Sequence, residues 1–132
     1  MMRFREAIET ANMDEVESML ADQVVFRSPV AFKPYTGKAI TNAILRSVIE
    51  VFEDFHYIRE ISEDPMHAFV FEATVDGLQL TGCDFLVYDD EGKIVDFMVM
   101  VRPLKGAHAL ATRMAERFPD IQAAATAWAE AH

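Results

Sequence analysis

The segment Leu78–Arg102 decides the fold. It consists of LQLTGCDFLVY (78–88), DDEG (89–92) and KIVDFMVMVR (93–102). Two runs rich in β-branched and aromatic residues flank a polar turn, which predicts two antiparallel strands. One carboxylate, Asp84, lies inside the first run. The Asp76–Gly77 pair just upstream predicts a two-residue hairpin turn from an earlier strand.

Outward from this segment, apolar spacing predicts helices before the sheet and after it. A first helix begins near Phe4, Asn12 caps a second one, and Thr36 caps a long helix ending near Phe52. The predicted strands are 24–27, 55–62, 66–75, 78–88 and 93–101, followed by a helix over 107–118. Helices followed by successive antiparallel strands indicate an α+β fold. We expect one domain over 1–118 and, after Pro119, an alanine-rich helical tail over 119–132.

The composition excludes several classes of protein. A net charge of −10 without any cluster of Lys and Arg argues against a nucleic-acid partner. One cysteine allows neither an intrachain disulfide nor a cysteine cluster for a metal. No apolar run approaches the about 20 residues of a membrane span, and the start has no signal-peptide core. These features predict a soluble cytoplasmic protein without a membrane partner.

Strand register places Asp84 on an apolar face. A two-residue turn at Asp76–Gly77 sets Phe69 opposite Asp84, and a four-residue loop over 89–92 sets Phe97 on its other side. The other members of that face are Phe71, Ala73, Val75, Leu80, Leu86, Val95, Val99 and Val101. A carboxylate there must be hydrogen-bonded, protonated or open to a cavity.

This position makes Asp84 the main candidate for a functional acid. The alternative is a structural acid satisfied by backbone amides or by the first helix. Phe4, Phe69, Phe71, Phe97 and Val99 are expected to wall the pocket around it.

The opposite face of the sheet is predicted to be a subunit interface. It mixes apolar, sulfur-containing and polar side chains, including Val70, Phe85, Met98 and Met100. Such a surface suits a homodimer better than open solvent.

Three further residues are candidates for ligand contact, each with a simpler alternative. Ser28 could donate to a ligand or cap the turn before Pro29. Tyr35 could close the pocket mouth or pack on the surface. His67 could form a relay with Asp84 or lie at the solvent boundary of the sheet. No histidine spacing is typical of a metal site, so we expect no bound metal.

The order of elements resembles the SnoaL-like, or nuclear transport factor 2-like, superfamily. The resemblance covers residues 4–118, and its most specific parts are DDEGKI (89–94) with VMVRPL (99–104). The loop from Ser28 to Gly37 is also similar to that of ketosteroid isomerase, a member of this superfamily. The resemblance implies a cone-shaped, cystatin-like roll, with a curved antiparallel sheet around the N-terminal helices and an extra C-terminal helix.

The resemblance also implies roles for individual residues. Asp84 stands where the isomerase has the protonated aspartic acid of its oxyanion hole, which is a known example of a neutral buried carboxyl group. Ser28 stands in place of the general base, and Phe4 and Leu45 in place of two tyrosines. Three of the four polar groups of the isomerase are thus missing, and steroid isomerisation by that mechanism is not expected.

Two functions remain open from the sequence. In one, the protein is a cofactor-independent cyclase, isomerase or dehydratase that uses Asp84 as general acid and base on a small hydrophobic molecule, as SnoaL-type cyclases do. In the other, it is a non-catalytic ligand-binding or dimerisation domain in which Asp84 is structural or anchors a ligand.

Overall fold

The structure, a computed structural model, describes residues 2–132. Within them the chain forms four helices and six strands. The helices are α1 (Phe4–Glu9), α2 (Met13–Met19), α3 (Lys38–Val51) and α4 (Leu104–Ala131). The strands are β1 (Leu20–Arg27), β2 (Tyr35–Thr36), β3 (Glu53–Glu63), β4 (Met66–Val75), β5 (Leu78–Tyr88) and β6 (Ile94–Arg102).

The strands form one curved, open sheet in the order β2–β1–β6–β5–β4–β3. The α+β roll and its C-terminal helix are confirmed. β3 to β6 pair antiparallel as predicted, whereas β1 runs parallel to β6. The sheet is therefore mixed. A long connection separates β1 from β6 in the chain, so no hairpin turn forces these two strands to run antiparallel.

One of the two predicted helix caps is correct. Asn12 Oδ1 accepts a hydrogen bond from the Glu15 backbone N–H at 3.4 Å at the start of α2. Thr36 does not cap α3, because it pairs with Val25 in the short β1–β2 ladder. Gly37 takes the cap position with φ of 112°, in a region of backbone space that favours glycine.

The predicted β4–β5 register is confirmed, with Phe69 opposite Asp84. The β5–β6 register differs from the prediction by two residues, since Asp84 pairs with Val99 and not with Phe97. From Asp96 onward the error is two positions, which leaves those side chains of β6 on their predicted face of the sheet. Phe97 is therefore still buried on the Asp84 side.

A longer turn and a bulge cause this register shift. Asp89 Oδ1 accepts the N–H groups of Glu91 and Lys93, each at 2.9 Å, which holds Lys93 in the turn. Strand pairing therefore begins at Ile94, and a β-bulge at Val95 follows. Ile94 is fully buried, whereas Val95, predicted on the inner face, is half-buried.

The predicted end of the last helix at Pro119 is wrong. α4 continues to Ala131 with Pro119 inside it. Proline removes one backbone donor and crowds the preceding turn, which disfavours but does not prevent this. Leu110 and Ile121 are both buried, one on each side of Pro119. Packing against the common core thus holds both halves of α4 in place.

No helix within residues 2–132 is long and apolar enough to cross a membrane.

Candidate functional site

An apolar cavity, called here the inner cavity, lies between the sheet and helices α1, α3 and α4. Its volume is about 60 Å³. Ser28, Tyr57 and Asp84 are the lining residues with polar side chains. The remaining wall consists of Ile8, Phe26, Pro29, Val30, Ile44, Leu45, Val48, Ile49, Phe52, Phe55, Phe71, Phe97, Val99, Leu110 and Met114.

Asp84 and Tyr57 form a hydrogen-bonded pair at the wall of this cavity. The Tyr57 hydroxyl donates to Asp84 Oδ2 at 2.6 Å. Both side chains are buried, and Asp84 is only 6% exposed. Among residues 2–132, Tyr57 is the side-chain partner of Asp84, and Asp84 Oδ1 has none. The protein therefore holds the Asp84 side chain through one of its two carboxyl oxygens.

Helix α1 fixes the backbone from which Tyr57 projects. β3 is the edge strand of the sheet, and its ladder with β4 is irregular on both sides of Tyr57. On the free edge the Tyr57 N–H donates to Glu9 Oε2, and Arg5 donates to the Tyr57 carbonyl, both at 3.2 Å. Arg5 also donates to Glu9 at 3.3 Å. These bonds replace a missing strand neighbour and hold Tyr57 toward Asp84.

Burial controls the protonation of this pair. Desolvation raises the pKa of Asp84 from 3.8 to about 7, and the hydrogen bond from Tyr57 lowers it. Desolvation and the neighbouring Asp84 carboxylate raise the pKa of Tyr57 well above its usual value. Tyr57 thus stays a neutral donor, while Asp84 populates both its acid and its carboxylate near neutral pH.

Gly82 gives room to one wall of the cavity. It lies on the same face of β5 as Asp84 and pairs with Phe71 of β4. A Cβ atom at Gly82 would lie 2.2 Å from Phe71 Cζ and 2.9 Å from the Met100 carbonyl oxygen. The absence of a side chain at Gly82 therefore lets the Phe71 ring lie directly against β5.

The structure brings together five of the predicted site residues. Asp84, Ser28, Phe71, Phe97 and Val99 all line the inner cavity. Ser28 Oγ also accepts the Val30 N–H at 3.1 Å, which is the capping role expected before Pro29.

The other predicted wall residues lie outside the cavity lining. Phe4 packs its ring against Tyr57, Phe69 and Phe97, with centroid distances of 6.4, 5.2 and 5.7 Å. Phe4 and Phe69 thus support the cavity from behind. Tyr35 lies farther out, 5.9 Å from the Phe118 ring.

The relay between His67 and Asp84 is not formed. His67 Nδ1 lies 2.9 Å from Ser62 Oγ, and His67 Nε2 lies 2.8 Å from Asp64 Oδ1. Both contacts are near the β3–β4 turn, away from the cavity. His67 therefore occupies the sheet-end position that was its simpler interpretation.

Tyr57 is the site residue that sequence reasoning missed. The alternation of Phe55 and Tyr57 at the start of β3 could have placed both on the cavity face. Bulges before and after Tyr57 hide this period in the sequence. Tyr57 of β3 is thus the polar partner of Asp84. Phe4 and Leu45, which stand in place of the two tyrosines of the isomerase, have no polar side-chain group.

A second space, called here the outer cavity, adjoins the first. Its volume is about 160 Å³. Residues of the 28–37 loop and of α4 line it, together with Ile44 of α3. The members are Ser28, Val30, Ala31, Tyr35, Ile44, Ala111, Met114, Ala115, Phe118 and Ile121.

Residues 2–132 contain no group of three or more His, Cys, Asp or Glu side chains arranged to hold a metal ion. The chemistry available at the inner cavity from the chain's own residues is the carboxyl group of Asp84 and the hydroxyls of Tyr57 and Ser28.

Comparison with known proteins agrees with a cystatin-like α+β fold. The family model described as "SnoaL-like domain" matches residues 2–97. The chain therefore belongs to the SnoaL-like domain family. Among curated proteins none matches it.

Two solved structures share substantial sequence with this chain. A steroid delta-isomerase from Pseudomonas aeruginosa is 39% identical, with a TM-score of 0.83 over 89% of this chain and 88% of that one. An uncharacterized protein with a cystatin-like fold from Silicibacter pomeroyi is 30% identical, also with a TM-score of 0.83, over 92% and 91%. A SnoaL-like protein of unknown function from Burkholderia thailandensis shares the fold at 15% identity, with a TM-score of 0.62 over 76% and 89%.

Proposed function

We propose that this protein binds a small hydrophobic molecule with one oxygen atom in the inner cavity and acts on it by general acid–base catalysis. Asp84 is the catalytic residue, Tyr57 holds it in place, and no cofactor takes part. The reaction is an isomerisation, cyclisation or dehydration. The observation that carries this proposal is a buried acid that faces an apolar cavity with one oxygen unpaired.

The proton states of Asp84 support both halves of such a reaction. As an acid, Asp84 donates from its free oxygen to the ligand oxygen and stabilises negative charge that develops there. As a carboxylate, the same oxygen accepts a proton from a neighbouring carbon of the ligand. A pKa of about 7 makes both states available at neutral pH, the condition under which general acid–base catalysis is efficient.

The similarity to a steroid delta-isomerase supports an oxygen-bearing apolar ligand. It gives less support to steroid isomerisation itself. Ser28 stands where the ketosteroid isomerase resemblance places a general base, and its hydroxyl accepts the Val30 N–H. Asp84 must therefore act as both the proton donor and the proton acceptor.

A simple ketone can test the acid–base step before the natural substrate is known. Butanone would be incubated with the protein in deuterium oxide, and exchange of the protons beside its carbonyl would be followed by NMR. We expect the wild type to accelerate exchange and Asp84→Asn to lose that acceleration. Asp90→Asn, at an exposed turn carboxylate, is the matched control. Equal exchange by Asp84→Asn and the wild type would eliminate Asp84 as the acid and base.

The alternative function is a non-catalytic ligand-binding domain. It is favoured by the fact that, among residues 2–132, Asp84 and Tyr57 are the titratable side chains that line the inner cavity. Butanone that binds the wild type and shifts the NMR signals of Asp84, without any exchange of its protons, would favour this alternative.

A further inference from the structure

The inner and outer cavities are neighbouring apolar spaces that share part of their wall. Four residues line both of them: Ser28, Val30, Ile44 and Met114. Asp84 lines the inner cavity alone, and Tyr35 lines the outer cavity alone. The two cavities together therefore extend from Asp84, past Ser28 and Met114, to Tyr35 beneath α4.

The charge of the lining restricts the ligand. No Lys, Arg or His of residues 2–132 lines either cavity. A carboxylate or phosphate on the ligand would be buried there without a counterion, which costs several kcal/mol by a rough estimate. The ligand is therefore uncharged, with apolar surface along most of its length.

The size of the inner cavity restricts the ligand further. Its volume of about 60 Å³ is well below the roughly 300–1,000 Å³ of common small-molecule sites. A ligand larger than a few atoms must extend beyond it. The outer cavity, of about 160 Å³ and also apolar, is the space that adjoins it.

We propose that the outer cavity binds the apolar tail of an elongated, uncharged ligand whose oxygen-bearing end lies at Asp84. This inference rests on the proposed function of the inner cavity and adds a subsite that selects ligands by length. Half of its lining residues belong to α4, which lies beyond the segment 2–97 matched by the SnoaL-like family model. The C-terminal helix and the 28–37 loop thus form most of the proposed tail subsite together.

Met114 is the residue of α4 whose side chain is shared by the two cavities. It lines both, and it is half-buried on the inward side of α4. Its unbranched thioether side chain adapts easily to different neighbours. A ligand that occupies both cavities therefore lies against this side chain.

A series of straight-chain methyl ketones tests the subsite. Binding of butanone through undecanone would be measured by calorimetry, with NMR of the Asp84 side chain as a local probe. We expect affinity to rise about fourfold for each methylene group that enters the outer cavity. The rise should stop when that cavity is full.

Ala111→Phe fills the outer cavity, because Ala111 lines it and does not line the inner one. This variant should bind butanone as the wild type does and lose the gain with chain length. Ala124→Phe, exposed on the same helix and lining neither cavity, is the matched control. If Ala111→Phe fails to fold, Ala115→Leu narrows the same cavity from a more exposed position.

The two proposals fail in different ways. An unchanged length dependence in Ala111→Phe would overturn the tail subsite, while butanone shifts at Asp84 would still support the proposed function. Ketones that bind Asp84→Asn and the wild type alike, without shifting the Asp84 signals, would overturn the proposed function. They would also overturn the assigned orientation of the ligand.

Discussion

Replacing Asp84 with Asn removes the titrating group and keeps the shape of the side chain. The Tyr57 hydroxyl can still donate to the amide oxygen, so the hydrogen bond of 2.6 Å survives. At low pH the wild type holds a neutral acid at this position, which is close in size and charge to the amide. The two proteins should therefore have similar stability only below the ordinary pKa of 3.8, where Asp84 is protonated in the unfolded chain as well.

Their stabilities should diverge as the pH rises. The folded state holds the proton of Asp84 up to a pKa of about 7, whereas the unfolded chain releases it near the ordinary value of 3.8. Between these values the folded state binds more protons than the unfolded state, so wild-type stability falls with rising pH. At 1.36 kcal/mol per pKa unit, the loss between pH 5 and pH 8 is about 2.5 kcal/mol.

Urea unfolding of both proteins at pH 5, 6, 7 and 8, at one protein concentration, measures this difference. The stability of Asp84→Asn minus that of the wild type should grow by about 2.5 kcal/mol across the range. Asp90→Asn controls for the general loss of one negative charge, since Asp90 is exposed in the β5–β6 turn. Its difference from the wild type should change little with pH.

A difference between Asp84→Asn and the wild type that is constant within about 0.5 kcal/mol would refute the reasoning, because surface effects are of that size. A difference of the opposite sign would refute it more strongly. That result would mean that the folded protein prefers the ionised carboxylate of Asp84.

Three further predictions concern the site and the outer face of the sheet. Tyr57→Phe removes a hydrogen bond that lowers the pKa of Asp84, so NMR titration should show that pKa above about 7, with stability reduced by about 1–3 kcal/mol. Gly82→Ala should lower the unfolding free energy by about 1–3 kcal/mol, since its methyl group overlaps the Phe71 ring. We propose a homodimer through the outer face, so wild type should sediment as a dimer and Met100→Lys, at a side chain 55% exposed, as a monomer.

Each of these has a contrary outcome. An unchanged Asp84 titration in Tyr57→Phe would mean that the hydrogen bond does not act on the acid. Wild-type urea stability in Gly82→Ala would show that Phe71 moves aside freely. A monomeric wild type, or Met100→Lys and the exposed helix control Thr112→Lys sedimenting alike, would contradict the predicted interface.

The sequence predicts the face of the sheet on which Asp84 lies. Side chains alternate between the two faces along a strand, so only a register error of an odd number of residues would exchange them. The β5–β6 register was wrong by two residues, yet Phe97 and Val99 stayed on the inner side. The extended turn at Asp89 and the bulge at Val95 each add one residue, and their effects on parity cancel. An error of one residue would have exchanged cavity and outer face.

The sequence does not predict the partner of Asp84 or the outer cavity. Tyr57 reaches Asp84 through an edge strand whose ladder is broken by bulges, and Arg5 and Glu9 on α1 fix its backbone. Neither the bulges nor these contacts produce a periodic pattern of apolar residues in the sequence. The continuity of α4 through Pro119 depends on packing in the folded state, which outweighs a local preference to end the helix.

The parallel pairing of β1 with β6 has a consequence for the order of folding. During synthesis, β1 emerges about 70 residues before β6, and until then its sheet neighbour is the two-residue β2. Phe26 and Val24, buried in the finished protein, must wait for that late partner. Contacts between such distant segments slow folding, because a long loop must close before they form. A nascent chain that stops before Ile94 therefore exposes an unpaired apolar strand, which is the stage most vulnerable to aggregation.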